Sequence, residues 1–321
     1  MCSDLRIEFS EAAPSADQLH ALREVATAAQ SVDGAPPFGD QTWVELSRAS
    51  GVAVCYAWQP VTGAERLAGA GVVVLGQTED AAQEAVPHTL ELVVHPECRQ
   101  QGVARRLGSA LSSSPLTQQA SPGVRAWAHG GHPGGPQLAA HFGWAPVRQL
   151  WQMRLENVVR LPAAELPAGV RLQSFRPGED DQAWLSVNAA AFADHPEQGR
   201  LGLEDLQARM AEDWFSAEGF LLAWESHDDA ADHLLGFHWT KIHTHPDGHR
   251  EGEVYVVGVA PEAQGRSLGA ALTVAGIEHL RAQGVDSVIL YVDADNTAAV
   301  RLYQKLGFTV SATDTQYAPA A

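Results

Sequence analysis

Cysteine is scarce in this chain, positive charge is thin, and no apolar run is long enough to cross a bilayer. The three cysteines, Cys2, Cys55 and Cys98, form an odd and widely spaced set. Such a set makes no disulfide framework and suits a reducing cytoplasm. Lys and Arg total 21 against 39 Asp and Glu, a formal net charge of −18. That balance would repel a phosphate lattice, which argues against general nucleic-acid binding and against docking on anionic membranes. One small polyphosphate is still admissible, because backbone N–H groups at a helix start outweigh a distant field. The longest apolar run, GAGVVVLG, is strand-sized, well short of the roughly 20 residues of a membrane helix. The opening MCSDLRIEFSEAAPS carries acids where a secretory leader has a basic and then an apolar stretch. The expectation is a cytoplasmic, non-membrane protein.

What is present is apolar material for real cores and an internal repeat. The 321 residues, 45% of them hydrophobic, are about twice the usual domain length. LELVVHPECRQQGVARRLGSAL and VYVVGVAPEAQGRSLGAALTVAG each read as a strand, a proline, a polar or glycine turn and an apolar-periodic helix. Aligning Pro96 with Pro261 gives an offset of 165, and aligning Gly143 of AAHFGW with Gly307 of YQKLGF gives 164. Two blocks in one order at nearly one offset indicate a tandem pair of whole domains. Pro162, Pro167 and Gly169 punctuate the joint, so the domains are expected at 1–157 and 168–321. The second half reads as βααβββαβαβ, a mixed α/β sheet flanked by helices. In it LEDLQARMAEDWF is a helix, ADHPEQGR and HTHPDGHREG are loops, and Asn296 caps the helix NTAAVRLYQKL. Alternation along EVYVVGVA groups Glu253, Tyr255 and Val257 on one face.

Residues 264–270, QGRSLGA, lie between a strand and a helix. Small residues there admit a close ligand, and the helix start offers unpaired N–H groups and partial positive charge, which suits a pyrophosphate. The element recurs as Arg99, Gln100, Gln101, Gly102, Val103 and Ala104. Both loops resemble the Q/R-x-x-G-x-G/A acyl-CoA signature of the GNAT acetyltransferases, and the Asn-capped helix with LGF resembles the end of that fold. The stretches AAFADHPEQG, LLGFHWTKIH, GEVYVVGVAPEAQ, SVDGAPPFGDQ and VRAWAHG resemble the mycothiol synthases, tandem GNAT enzymes of actinobacteria. The resemblance implies two GNAT-like domains, each with a mixed, mostly antiparallel sheet flanked by helices. It implies acetyl transfer from acetyl-CoA to the cysteinyl amine of cysteinyl-glucosaminyl-inositol, in a ternary complex of a monomeric enzyme that uses no metal.

Site residues follow from the same resemblance. Glu253 would take the amine proton and Tyr303 would protonate the departing thiolate. Val257, Gly258 and Val259 would meet the pantetheine arm, Gln264, Gly265, Arg266, Ser267, Leu268, Gly269 and Ala270 the pyrophosphate. Asn296, Thr297, Ala298, Ala299, Val300 and Arg301 would line the CoA. Asp40, Glu197, Lys241, Glu253 and Tyr291 would touch the acceptor, whose site would thus draw on both domains. In the first half Leu92, Val93, Val94, Gln100, Gln101, Gly102, Val103, Ala104 and Arg105 would form a second loop of this type, which holds acetyl-CoA or nothing. The chemistry is reasonable in itself. A free α-amino group has a pKa of about 8, so its proton needs a well-placed acceptor more than a strong one.

The match has departures. Ser267 stands where the signature usually has glycine, which is tolerable at a negative φ. Asp40 stands where the family more often has Glu. At the repeat offsets, Glu253 corresponds to His88, Tyr303 to Ala139 and Asn296 to His132, so the first half is expected to be non-catalytic. The histidines 227, 233, 238, 243, 245 and 249 are irregularly spaced with no cysteine near, and a metal site is not expected. Gly130-Gly131 and Gly134-Gly135 with Pro133 and Pro136 read as a linker. Two rival readings stay open: a GNAT acting on an aminoglycoside or a protein N-terminus, and a non-catalytic acyl-CoA-binding module.

Overall fold

The computed structural model describes residues 5–48, 51–61, 63–76, 86–120, 122–193, 196–226, 232–245 and 247–320. Cys2 and His227 lie outside them. One unit runs to Leu150 and includes the segment from Ala312 onward; the other is Trp151–Ser311. In the first unit the order is β1 (Arg6–Ser10), α1 (Ala16–Asp33), α2 (Asp40–Ser47), β2 (Val52–Val61), β3 (Ala64–Val74) and β4 (His88–Val94). Then come α3 (Val103–Ser112), α4 (Pro115–Gln118), β5 (Val124–Ala128), α5 (Gly134–His141) and β6 (Trp144–Glu156), which leads into the second unit. The second unit continues with β7 (Val170–Ser174), α6 (Asp181–Ala191), α7 (Pro196–Gly199), α8 (Leu203–Met210), β8 (Phe220–Glu225) and β9 (His233–Thr244). It closes with β10 (Arg250–Val259), α9 (Leu268–Ala282), β11 (Ser287–Asp293) and α10 (Thr297–Leu306), after which β12 (Thr309–Pro319) returns the chain to the first unit.

The repeat seen in the sequence is a repeat of topology. In the first unit β1–β2, β2–β3 and β3–β4 pair antiparallel and β4–β5 parallel. In the second, β7–β8, β8–β9 and β9–β10 pair antiparallel and β10–β11 parallel. The central strands are buried on both faces. On β2, Val52, Val54 and Tyr56 pack with Leu22, Val25 and Ala29 of α1, while Ala53, Cys55 and Ala57 pack with Val103, Leu107 and Leu111 of α3. The second unit repeats the scheme. Phe237 and Trp239 of β9 face Trp184 of α6 and Leu206 of α8, and Leu235 faces Leu268 and Leu272 of α9. Each sheet is thus buried on both faces, which is why its central strands read as apolar runs.

Several local expectations need correction. The helix expected over LEDLQARMAEDWF ends at Met210, and the loop ADHPEQGR contains the short helix α7. The HTHPDGHREG loop is shorter than expected, since β9 runs through Thr244 and β10 starts at Arg250. The glycine-proline stretch is no linker. His129–Gly131 is a 3₁₀ turn and Gly134 opens α5, where Pro136 sits in the first turn and needs no N–H partner.

Candidate active site

The parallel pairing of β10 with β11 covers only Glu251–Val254 against Ser287–Leu290. Beyond Val254 the strand keeps its antiparallel partner β9 as far as Val259. Among the described residues the opposite edge of 255–259 has no strand partner, so its backbone groups can pair with an extended ligand. Val257, Gly258 and Val259 lie on that edge. A bulge between Val254 and Val256 shifts the register against β9. It also corrects the expected face. Glu253 opposes Lys241, but Val256 now opposes Trp239 and packs in the cluster that holds Trp184 of α6, while Val257 opposes His238 and packs toward α9.

After β10 the chain makes a 3₁₀ turn at Pro261–Ala263 and reaches Gly265 at φ 76° and Ser267 at φ 62°. The condition set for Ser267 is not met, because it takes the left-handed backbone that glycine prefers. α9 begins at Leu268, with Ala271 N–H donating to the Ser267 carbonyl. The N–H groups of Leu268, Gly269 and Ala270 therefore have no intrahelical acceptor and face the loop. A Cβ on Gly265 would meet nothing within 4 Å, and one on Gly269 only Val259 Cγ2 at 3.7 Å, so the loop has room before it. The Arg266 guanidinium turns to Glu225 at 2.6 Å, so this residue offers its backbone. Asn296 Oδ1 caps α10 by accepting from Ala299 N–H at 3.1 Å, with Thr297, Ala298, Ala299, Val300 and Arg301 in its first turns.

Glu253 is buried on the face away from α9, since a Cβ on neighbouring Gly252 would meet Leu280 of α9. Its Oε2 lies 2.6 Å from His243 Nε2. Lys241, its register partner, holds its ammonium over the rings of Trp214 at 4.9 Å and Tyr255 at 5.7 Å. Arg209 donates to the Tyr255 hydroxyl at 3.2 Å. Tyr291, on the same face two residues past Ile289, accepts from Gln152 at 2.9 Å. Tyr303 is buried edge-on against Phe308 at 5.8 Å, and burial pushes its phenol up to about 12.

The first unit repeats the loop with different residues. β4 pairs with β5 only at His88–Leu90, leaving Leu92, Val93 and Val94 beyond the pairing. Gln100 at φ 60° and Gly102 at φ 80° precede α3, where Gln101, Ala104 and Arg105 flank the turn and Val103 is core. Asp40 is the first residue of α2, and the helix start is held by Gly39 N–H donating to both Glu91 oxygens at 3.1 and 3.2 Å. The Glu197 side chain lies outside the described residues. Among those residues no group of three or more His, Cys, Asp or Glu is arranged to hold a metal, and no helix is long and apolar enough to cross a membrane. Sequence reasoning missed His243, Trp214 and Arg209. The period-two spacing of Lys241 and His243 on a strand beside Glu253 was the available signal for the first.

Comparison with known proteins follows this geometry. Residues 184–308 match the family model described as the acetyltransferase (GNAT) family. Among solved structures, a GCN5-related N-acetyltransferase from Sphaerobacter thermophilus superposes with TM-score 0.69 at 22% identity, covering 97% of this chain and 94% of that one. A tandem GNAT protein from the clavulanic acid biosynthesis pathway gives TM-score 0.64 at 19% identity, covering 98% and 100%. These likenesses show the fold. The mycothiol acetyltransferase of Paenarthrobacter aurescens strain TC1 is 51% identical over 94% of this chain and 92% of its own length. That of Thermobispora bispora is 44% identical over 98% and 99%. With a tandem GNAT fold and this level of identity over nearly its whole length, the chain belongs to the mycothiol acetyltransferase family.

Proposed function

We infer that the protein transfers the acetyl group of acetyl-CoA to the cysteinyl amine of cysteinyl-glucosaminyl-inositol, giving mycothiol by direct transfer within a ternary complex. The observation that carries this reading is the buried Glu253 carboxylate on β10, just before the strand loses its parallel neighbour and runs on to the anion-ready start of α9. The acceptor amine attacks the thioester carbonyl, its C–N bond forms and the C–S bond breaks. Glu253 takes the amine proton, directly or through a water. The residue pattern supports pantetheine pairing along residues 257–259 and pyrophosphate binding at 264–270, with 296–301 beside the cofactor. Lys241 and Tyr291 supply polar groups suited to a hydroxyl-rich acceptor.

Burial alters the part assigned to Tyr303. With its phenol pushed up to about 12, it keeps its proton throughout the neutral range. A free thiol titrates at about 8.5, so complete proton transfer from Tyr303 to the sulfur is uphill. The group acts as a hydrogen-bond donor to the leaving thiolate. No residue is needed as an acyl carrier. Cys55 is buried and burial pushes its thiol up to about 11, opposite to what a nucleophile requires. The first unit has the loop but neither a strand carboxylate at the Glu253 position nor a tyrosine at the Tyr303 position, which supports a binding role and no turnover there.

The experiment is release of CoA thiol by purified protein with acetyl-CoA and cysteinyl-glucosaminyl-inositol. Parallel reactions contain free cysteine, glucosaminyl-inositol, an aminoglycoside and an N-terminal peptide. Release with the first acceptor at a rate well above all others is the expected result. Release with a different amine would keep the chemistry and replace the acceptor; acetyl-CoA binding without release on any amine would return the protein to the binding-module reading.

A further inference from the structure

We propose that His243 is the positioning residue of the Glu253 carboxylate. The proposal rests on the reading of Glu253 given above. Register makes the pairing informative. Glu253 lies directly opposite Lys241, while His243 lies opposite Glu251. A direct Glu253–Lys241 ion pair would be the default for such neighbours. The hydrogen bond instead runs diagonally, from Glu253 Oε2 to His243 Nε2 at 2.6 Å.

Both would-be competitors are occupied. The Lys241 ammonium sits over Trp214 and Tyr255. Glu251 takes Arg154 at 2.6 Å and the Ser287 hydroxyl at 3.3 Å. His243 is thereby left to Glu253. The Glu253 side chain is 11% exposed and that of His243 33%, so the pair has one buried end and one end open to solvent.

The consequence is chemical. A carboxylate with two free rotamers and no partner would lose orientation at the mouth of the cleft. With Nε2–H donated to Oε2, the carboxylate plane is fixed and Oε1 stays available for the acceptor's proton.

The test compares His243→Gln and His243→Leu with wild type and with Glu253→Gln, with acetyl-CoA varied at saturating acceptor and fixed pH. His243→Leu is expected to lower kcat tenfold or more with the acetyl-CoA KM within twofold of wild type. His243→Gln, which keeps an N–H donor, should recover kcat to within about threefold of wild type. Wild-type kcat in the Leu variant overturns the proposal, and so does a Gln variant no more active than the Leu variant. If the Leu variant does not fold, the Gln variant decides alone, and a tenfold or greater loss of kcat there overturns the proposal. Full activity in Glu253→Gln would overturn the underlying reading, whereas an inactive Glu253→Gln beside an unaffected His243→Leu would overturn only this one.

Discussion

Each phosphate-type loop contains two left-handed residues two positions apart, and each keeps glycine at only one of them. The first unit has Gln100 and Gly102, the second Gly265 and Ser267, and at the 165 offset the glycine sits at opposite ends. The backbone geometry is therefore common to the duplicates while the residue that meets it has exchanged. An L-residue held at αL costs about 1–2 kcal/mol, partly offset by glycine's greater entropy loss of roughly 0.5–1 kcal/mol. Ser267→Gly should raise Tm by about 1–3 °C, and Ser267→Val, β-branched at the same φ, should lower it. Thermal unfolding of the two variants checks this; a lower Tm for the glycine variant would show that the serine hydroxyl contributes more than the strain costs. At Tyr303 the prediction is kinetic. Tyr303→Phe keeps the edge-on contact with Phe308 and removes only the donor, so kcat should fall by about 10–100-fold with little change in the acetyl-CoA KM. Equal turnover in the two proteins would mean the sulfur leaves unaided.

At the scale of elements, the contact of α9 with β9 holds the loop end of α9 against the strand that carries Lys241 and His243. Its tightest point is Gly276 over His238, where a Cβ would come within 2.2 Å of the imidazole. His238 is fully buried and shares its Nδ1 with the Leu272 carbonyl at 2.8 Å; burial pushes it down to about 4. The folded state keeps this ring neutral where the unfolded chain would protonate it near 6.5. Stability is therefore present above about pH 6.5 and lost progressively as pH falls toward 4, by about 3 kcal/mol at most. His238→Gln should flatten the acid side of Tm against pH, and Gly276→Ala should destabilise at every pH by about 2–4 kcal/mol. An acid limb that survives in His238→Gln would place the cause elsewhere. The elements themselves were legible because period two on the strands and 3.6 on the helices survive in both halves, and Asn296 announced the start of α10. The bulge in β10 was not. One extra residue leaves no mark in an unbroken β-branched run, so Val257 was assigned to the wrong face. The ladder partners of Glu253 were equally invisible, since register is a tertiary property. α5 was hidden by glycines that normally signal a loop.

At the scale of the whole molecule, the duplication is not a simple concatenation. The segment from Ala312 onward belongs to the first unit, where Thr315, Gln316 and Tyr317 of β12 pair with Ala128, Trp127 and Ala126 of β5. A charge cluster around the buried Glu91 clasps it there. His129 Nδ1 lies 2.8 Å from Asp314 Oδ2 and its Nε2 lies 2.5 Å from Glu91 Oε1, while Gly130 N–H donates to Asp314 Oδ1 at 2.8 Å. No spacing rule could assemble residues 38 and 185 positions from His129, so this part of the architecture was closed to the sequence. Burial alone would lower the His129 pKa; the bonds to Asp314 and Glu91 outweigh it and push it up to about 9. The sign is opposite to that of His238. Stability from the charged ring is complete below about pH 6.5 and is lost as pH rises through 9, on the order of 3 kcal/mol. Removing the ring while the buried Glu91 and half-buried Asp314 carboxylates stay is worse than neutralising the whole cluster. His129→Leu should therefore lower Tm at pH 7 more than the triple change His129→Leu, Glu91→Gln, Asp314→Asn. Both should lose the alkaline decline between pH 7 and 10 that wild type shows. Because Glu91 also receives Gly39 N–H at the start of α2, the single variant should loosen the start of that helix as well. If Tm of His129→Leu follows wild type across pH 7–10, the cluster is not what fastens the last strand to the first unit.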